Sequence, residues 1–178
     1  MKISFGDYQI RSYLHSDKES IAKYANNYDI SKNLKNRFPY PYTPEDAEEW
    51  LISACTQDPE INFAIANENE LIGAIGLELQ DDVNMYSAEI GYWLAEPYWG
   101  KGIATEALKA LTKYAFENFD FNRIFAGVFE LNTASAKVLE KAGYKLEARL
   151  RKSVFKEGKF QDQLIYSILR EEFEENFK

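Results

Sequence analysis

The stretch that decides the fold is Ile90-Gly91-Tyr92-Trp93-Leu94-Ala95, followed by Pro97-Tyr98-Trp99-Gly100-Lys101-Gly102-Ile103-Ala104-Thr105-Glu106-Ala107. It reads as a buried strand, a glycine-containing turn and an amphipathic helix. The first turn of a helix leaves N–H groups without intrahelical acceptors, and the dipole there is positive. Gly100 and Gly102 lack a Cβ, so an anion can approach the backbone closely. The pattern is a phosphate cradle, with an ordinary tight turn into a helix as the plain alternative. A Walker A loop would need glycine at position 95 and Ser or Thr after the lysine, where the chain has Ala95 and Gly102. A dinucleotide fingerprint would need a third glycine where Thr105 stands. Neither nucleotide pattern fits.

Working outward, Tyr8 to Leu14 alternates as a strand, and Ser16 with Glu19 predicts a capping box. The helix that follows would carry Ile21, Tyr24, Ala25 and Tyr28 on one side. Arg37 to Tyr42 is an aromatic loop broken by prolines. Thr43-Pro44-Glu45-Asp46 starts a helix, with Thr43 as N-cap and Pro44 at the first position. Ala47, Trp50, Leu51 and Ala54 form its buried stripe. Ile61 to Ala66 and Leu71 to Leu79 read as strands joined by the turn Asn67-Glu68-Asn69-Glu70. Ala88 to Leu94 leads into the cradle, whose helix buries Ala104, Ala107, Leu108, Leu111 and Ala115. Arg123 to Phe129 is a strand. Asn132 then caps a helix that Gly143 ends. Strands Tyr144 to Phe155 and Lys159 to Leu169 meet at Glu157-Gly158, and an acidic end, Glu171 to Lys178, is expected to fray.

The 178 residues suit one domain, 46% of them hydrophobic and 15% aromatic, so a core is well supplied. No run approaches the ~18 apolar residues of a membrane span. Met1 to Ser12 lacks the apolar region of a signal peptide, and cytoplasmic residence is expected. One cysteine, Cys55, and one histidine, His15, argue against an internal disulfide and against His-rich metal sites. A net charge of −8 is opposite to the usual footprint of nucleic-acid binding. The same acidity means that a polyanionic ligand would need locally placed cations.

Trp99-Gly100-Lys101-Gly102-Ile103-Ala104 resembles motif A of the GNAT superfamily of acetyltransferases, Gln/Arg-x-x-Gly-x-Gly/Ala, with Trp99 in the place of Gln or Arg. Asn132-Thr133-Ala134-Ser135 with Val138 to Tyr144 resembles motif B of that superfamily. Arg11, Phe38-Pro39-Tyr40-Pro41-Tyr42-Thr43 and Asp46 to Trp50 resemble the opening of its ribosomal-protein N-terminal (serine/alanine) acetyltransferase branch. The resemblance extends over essentially the whole chain. It implies a single α+β GNAT domain over residues 1–178, with a central mixed, mostly antiparallel sheet of about seven strands and about four helices. It implies acetyl-CoA as co-substrate and no metal. The acceptor would be a primary amine, that of a protein N-terminus or of a polyamine or other small molecule. Nucleic acid and membrane are not expected as partners, and the chain would act as a monomer or homodimer. A non-catalytic acyl-CoA-binding regulatory domain is the rival from another class.

The resemblance also implies roles. Backbone amides of Gly100, Lys101, Gly102, Ile103, Ala104 and Thr105 would hold the pyrophosphate, with the Thr105 hydroxyl adding a bond. Lys101 supplies charge or is a solvated loop lysine; Lys137 and Lys141 meet the remaining phosphate or form a solvated face. Tyr92, Trp93 and Leu94 would pair their backbone with the pantetheine arm. Asn132 and Ser135 would lie beside the thiol, Ser135 as the proton donor to the departing thiolate or as a plain helix-start residue. The branch's glutamate falls nearest Val154, between Glu147 and Glu157, which leaves the base open among Glu89, another carboxylate and water. Phe38, Tyr40 and Trp50, with Tyr28 and Asp162, are the candidates for lining the acceptor channel.

Overall fold

In the computed structural model, which describes residues 1–176, two short strands come first: β1 (Lys2–Phe5) and β2 (Tyr8–Arg11) pair antiparallel across a turn at Gly6. β1 lies outside the strands expected from the sequence, and its residues are exposed or half-buried. β2 stops at Arg11 rather than Leu14 because the Arg11 guanidinium turns to Asp17, at 2.7 and 2.8 Å, and the Leu14 N–H donates to the same carboxylate at 2.8 Å. Asp17 thereby closes the 3-10 turn His15–Asp17, the expected Ser16–Glu19 box is replaced, and α1 runs Lys18–Ala25 with no side-chain cap bond from Asp17. Ile21 and Ala25 are buried, but Tyr28 belongs to a separate turn, α2 (Tyr28–Ser31), capped by the Asn27 side chain.

The expected start of α3 (Pro44–Cys55) is present in full. Thr43 Oγ1 accepts from the Asp46 N–H at 3.2 Å, and the Asp46 carboxylate accepts from the Thr43 N–H at 2.7 Å. The Thr43 amide and hydroxyl hold the Asp46 carboxyl below its ordinary range. A depressed carboxyl contributes stability above its ordinary value and loses it as pH falls through the folded value. Thr43→Ala should therefore cost about 1 kcal/mol in urea unfolding at neutral pH, and the gap between the two proteins should narrow in acid.

The remaining elements are β3 (Asn62–Ala66), β4 (Leu71–Leu79), β5 (Ser87–Leu94), α4 (Ile103–Asn118), β6 (Arg123–Phe129), α5 (Thr133–Lys141), β7 (Lys145–Lys156), β8 (Lys159–Leu169) and α6 (Arg170–Asn176). They give an α+β fold in which eight strands form a sheet of order β1-β2-β3-β4-β5-β6-β8-β7, flanked by the helices. The β5–β6 ladder is parallel; those of β1–β2, β2–β3, β3–β4, β6–β8 and β7–β8 are antiparallel. α6 occupies most of the acidic end that was expected to fray, and the last two residues of that segment lie outside the described residues.

Contacts divide the chain into two units, one of Met1–Gly76 with Tyr92–Ala110 and the other of Leu77–Gly91 with Leu111 onward. In the first, Ile21, Ala25, Tyr42, Ala47, Leu51, Ala54, Ala64, Leu71 and Ala74 form one apolar cluster. In the second, the Arg170 guanidinium closes the end of α4 by donating to the carbonyls of Phe116, Phe119 and Phe121 at 2.7–2.8 Å. Helix-end carbonyls lack intrahelical donors, so a forked cation there satisfies several at once.

Candidate active site

The cradle belongs to the first unit. β5 ends at Leu94, a short 3-10 turn covers Glu96–Tyr98, and α4 begins at Ile103. Gly100 and Gly102 both take left-handed backbone, φ +74° and +78°, which side-chain-bearing residues rarely adopt. A Cβ built on either would meet nothing within 4 Å, so the space in front of both backbones is open. Glu106 is the first residue of α4 whose N–H finds a backbone acceptor, the Gly102 carbonyl at 3.1 Å. The amides of Gly100 through Thr105 have no acceptor among the described residues. Such a run of free donors at the positive end of a 16-residue helix fits the pyrophosphate of acetyl-CoA. Thr105, rather than the expected Ala104, turns into the buried face of α4, because the helix phase is set by Ile103, Ala107 and Leu108. Lys101 is exposed, with its ammonium 5.2 Å from the centre of the Tyr98 ring.

Trp99, the departure from motif A, has a task in the structure. Its indole N–H donates to the Leu94 carbonyl at 2.7 Å, tying the turn back to the end of β5. A half-exposed indole seeks a partner for its single N–H, a need that the sequence carries without naming the acceptor. The Asn67 side chain donates to the Tyr98 hydroxyl at 3.2 Å, while its own carbonyl accepts the Asn69 and Glu70 amides at 2.8 Å. The approach to the cradle is thus braced from the β3–β4 turn. The Ala95 N–H donates to the Ile72 carbonyl at 2.8 Å, and the Leu94 carbonyl already carries the indole bond. Of the stretch expected to pair with pantetheine, Tyr92 and Trp93 are half-buried and Leu94 is buried. The β5–β6 ladder holds the pairs Ser87↔Arg123, Ala88↔Ile124 and Glu89↔Phe125, although β5 runs on to Leu94 and β6 to Phe129.

Within the first unit the aromatic loop reaches this strand. Phe38 lies 6.1 Å from Trp93, ring centre to ring centre, and 5.1 Å from Tyr42. Burial pushes the Tyr42 phenol up to about 12. Tyr40 is exposed and its ring meets that of Tyr28 at 5.6 Å. Trp50, expected in the buried stripe of α3, is instead at the surface with its ring edge-on to Tyr13 at 6.0 Å.

In the second unit, Asn132 Oδ1 accepts the Ser135 N–H at 3.2 Å, the cap expected from motif B. Asn132 and Ser135 are both half-buried; Lys137 and Lys141 are exposed and carry no ion pair among the described residues. Tyr144, the nearest tyrosine to motif B, is buried, and its hydroxyl shares a 2.7 Å bond with the Thr112 hydroxyl. It serves the core. Val154 is half-buried in β7. Glu147 is bonded to Arg123, which holds its carboxyl below the ordinary range and makes it a poor base. Asp162, a candidate for lining the acceptor channel, bonds to Arg149 and to the Lys152 N–H. Glu89, half-buried between Ala88 and Ile90, remains the carboxylate nearest along β5 to the Tyr92–Leu94 stretch.

These features agree with what the chain resembles. The profile of the acetyltransferase (GNAT) domain matches residues 9–145, and the chain belongs to that family. It is an acetyl-CoA-dependent acetyltransferase. It is 30% identical over 150 residues to the SPbeta prophage-derived uncharacterized N-acetyltransferase YokL of Bacillus subtilis, covering 83% of this chain and 82% of that one. It is 33% identical over 105 residues to the ribosomal-protein-serine acetyltransferase of Escherichia coli, covering 59% of this chain and 58% of the other. The crystal structure of a GNAT-family acetyltransferase from Bacillus anthracis superposes with a TM-score of 0.83 at 28% identity, over 96% of this chain and 99% of that one.

Proposed function

We propose that this protein transfers the acetyl group of acetyl-CoA to the α-amine of a protein N-terminus. The observation that carries the reading is the contact of Phe38 with Trp93, which joins the aromatic loop to the strand stretch assigned to the cofactor's thiol arm. Likeness to the Escherichia coli ribosomal-protein-serine acetyltransferase supports the same acceptor class. No carboxylate occurs between Asp29 and Glu45, so this loop offers a polyamine's second ammonium no charged partner. A flat, uncharged peptide end suits such a wall better.

In this reading the Gly100–Thr105 amides hold the pyrophosphate, and backbone groups of Tyr92 and Trp93 orient the pantetheine arm. The acceptor amine attacks the thioester carbonyl in its neutral form. Its proton leaves to water or to Glu89, the Ser135 hydroxyl gives a proton to the departing thiolate, and the serine regains one from water. A panel of N-terminal-serine and N-terminal-alanine peptides, spermidine, spermine and aminoglycosides, read by thiol release, tests the acceptor. Peptides should give the highest kcat/KM, rising from pH 6 to 9 as the amine loses its proton. A polyamine or aminoglycoside turning over faster than every peptide would overturn the assignment.

A further inference from the structure

The β7–β8 ladder slips between Leu150 and Val154, so that Arg151, Lys152 and Ser153 bow out of β7 opposite Asp162. Lys152 takes φ +53°, a conformation that side-chain-bearing residues adopt only when their surroundings hold them there. The holding group is Asp162, whose Oδ1 accepts the Lys152 N–H at 2.8 Å and whose Oδ2 accepts from Arg149 Nε at 2.5 Å. The Lys152 amide and the guanidinium together keep that carboxyl below its ordinary range, so it stays ionised and unsuited to take a proton.

Arg149 does not stop at Asp162. Its Nη2 donates to Glu130 Oε2 at 2.6 Å, and Glu130 Oε1 accepts the Asp162 N–H at 3.2 Å. The Glu130 N–H in turn donates to the Asp162 carbonyl at 3.1 Å. Glu130 is therefore clamped through backbone and both carboxylate oxygens. Two residues later comes Asn132, whose N–H donates to the Phe129 carbonyl at 2.8 Å and whose side chain caps Ser135. A single exposed ion pair contributes little. Here one guanidinium joins two carboxylates that also carry backbone bonds, and one of them opens the turn into α5.

We propose that Arg149 is a positioning residue for acetyl transfer, acting with Glu130 and Asp162 to fix the Asn132–Ser135 turn so that the Ser135 hydroxyl meets the departing sulfur. The proposal rests on the role given to Ser135 above. It assigns Arg149 no contact with either substrate, and this separates it from a cation recruited to bind phosphate. The bowed segment of β7 then serves as the abutment of the clamp, with its strained Lys152 held in place by the same carboxylate.

The experiment is a double-mutant cycle between Arg149→Met and Ser135→Ala, run with acetyl-CoA and the fastest amine of the panel so that it does not depend on the acceptor class. Arg149→Met keeps the side-chain stem and removes the fork. It should lower kcat roughly fivefold to thirtyfold while the acetyl-CoA Kd stays within about twofold, and Arg149→Lys should not rescue it, since a point charge cannot span both carboxylates. In the Ser135→Ala background the same change should cost no more than about twofold, because the group it positions is gone. Glu130→Gln should repeat the pattern if Arg149→Met fails to fold. Equal losses in both backgrounds, an unchanged kcat in folded Arg149→Met, or a loss confined to the acetyl-CoA Kd would each overturn the proposal. A normal kcat for Ser135→Ala alone would instead remove the reading of Ser135 on which it stands.

Discussion

Ser135→Ala is expected to lower kcat by roughly one to three orders of magnitude while the acetyl-CoA Kd barely moves. The reason lies in when the hydroxyl is needed. A thioester sulfur carries little charge in the bound ground state and becomes a thiolate as the C–S bond breaks, so a proton donor there acts on the transition state alone. Ser135 sits in the first turn of α5, where backbone amides and the helix dipole favour negative charge. A tyrosine could donate the same proton, but α5 carries none, and Tyr144 just beyond it is buried with its hydroxyl bonded to that of Thr112. A purely structural Ser135 predicts a different result, a stability loss of about 0.5–1 kcal/mol with kcat changed only a few-fold. Asn132→Ala is the control, costing about 1 kcal/mol for the lost cap and disturbing cofactor binding as well. Comparing kcat with an independently measured Kd for the three proteins decides between them.

Gly102→Val should raise the acetyl-CoA Kd at least about tenfold, a change of about 1.4 kcal/mol, with secondary structure intact by circular dichroism. Two effects act together. Valine is strained at φ +78°, and its side chain would project into space that is open before an anion arrives. Gly102→Asn separates them, because asparagine tolerates left-handed backbone while still occupying the space. Weak binding by both variants assigns the loss to the filled cradle. Normal binding by a folded Gly102→Val protein would remove the cradle from the reading. Lys101→Ala should be milder and salt-sensitive, since its exposed ammonium is screened.

What could be read from the residues followed how locally each feature is determined. The α3 start was legible because Thr43, Pro44 and Asp46 satisfy one another within a single turn. The turn at Gly100 and Gly102 was legible because glycine is the residue best suited to left-handed backbone, and the Asn132 cap because the N–H it accepts lies three residues away. The features that escaped depend on partners far along the chain. Asp17, through Arg11 and the Leu14 N–H, rather than Ser16, ties down the turn that precedes α1, and β1 exists because β2 offers it an edge. Asp162, a channel-lining candidate, and Glu147, beside the position of the expected glutamate, are held by Arg149 and Arg123, partners that no local spacing announces. Trp99 stands in the motif in the place of Gln or Arg, and its acceptor, the Leu94 carbonyl, is set by the path of the turn rather than by the motif.

The chain's tryptophans, Trp50, Trp93 and Trp99, all fall in the first contact unit. Each tryptophan thus reports on the unit that holds it, while α5 and the β7–β8 hairpin belong to the other and carry none. An unfolding curve followed by intrinsic fluorescence reports the aromatic loop, the end of β5 and the cradle turn, whereas far-ultraviolet dichroism weighs every helix and strand. The two curves superimpose only if both units come apart in one cooperative step. The placement is also useful for titrations: because Trp99 is bonded into the turn before Gly100, quenching on addition of CoA would be an optical signal native to the chain, obtained without attaching a label.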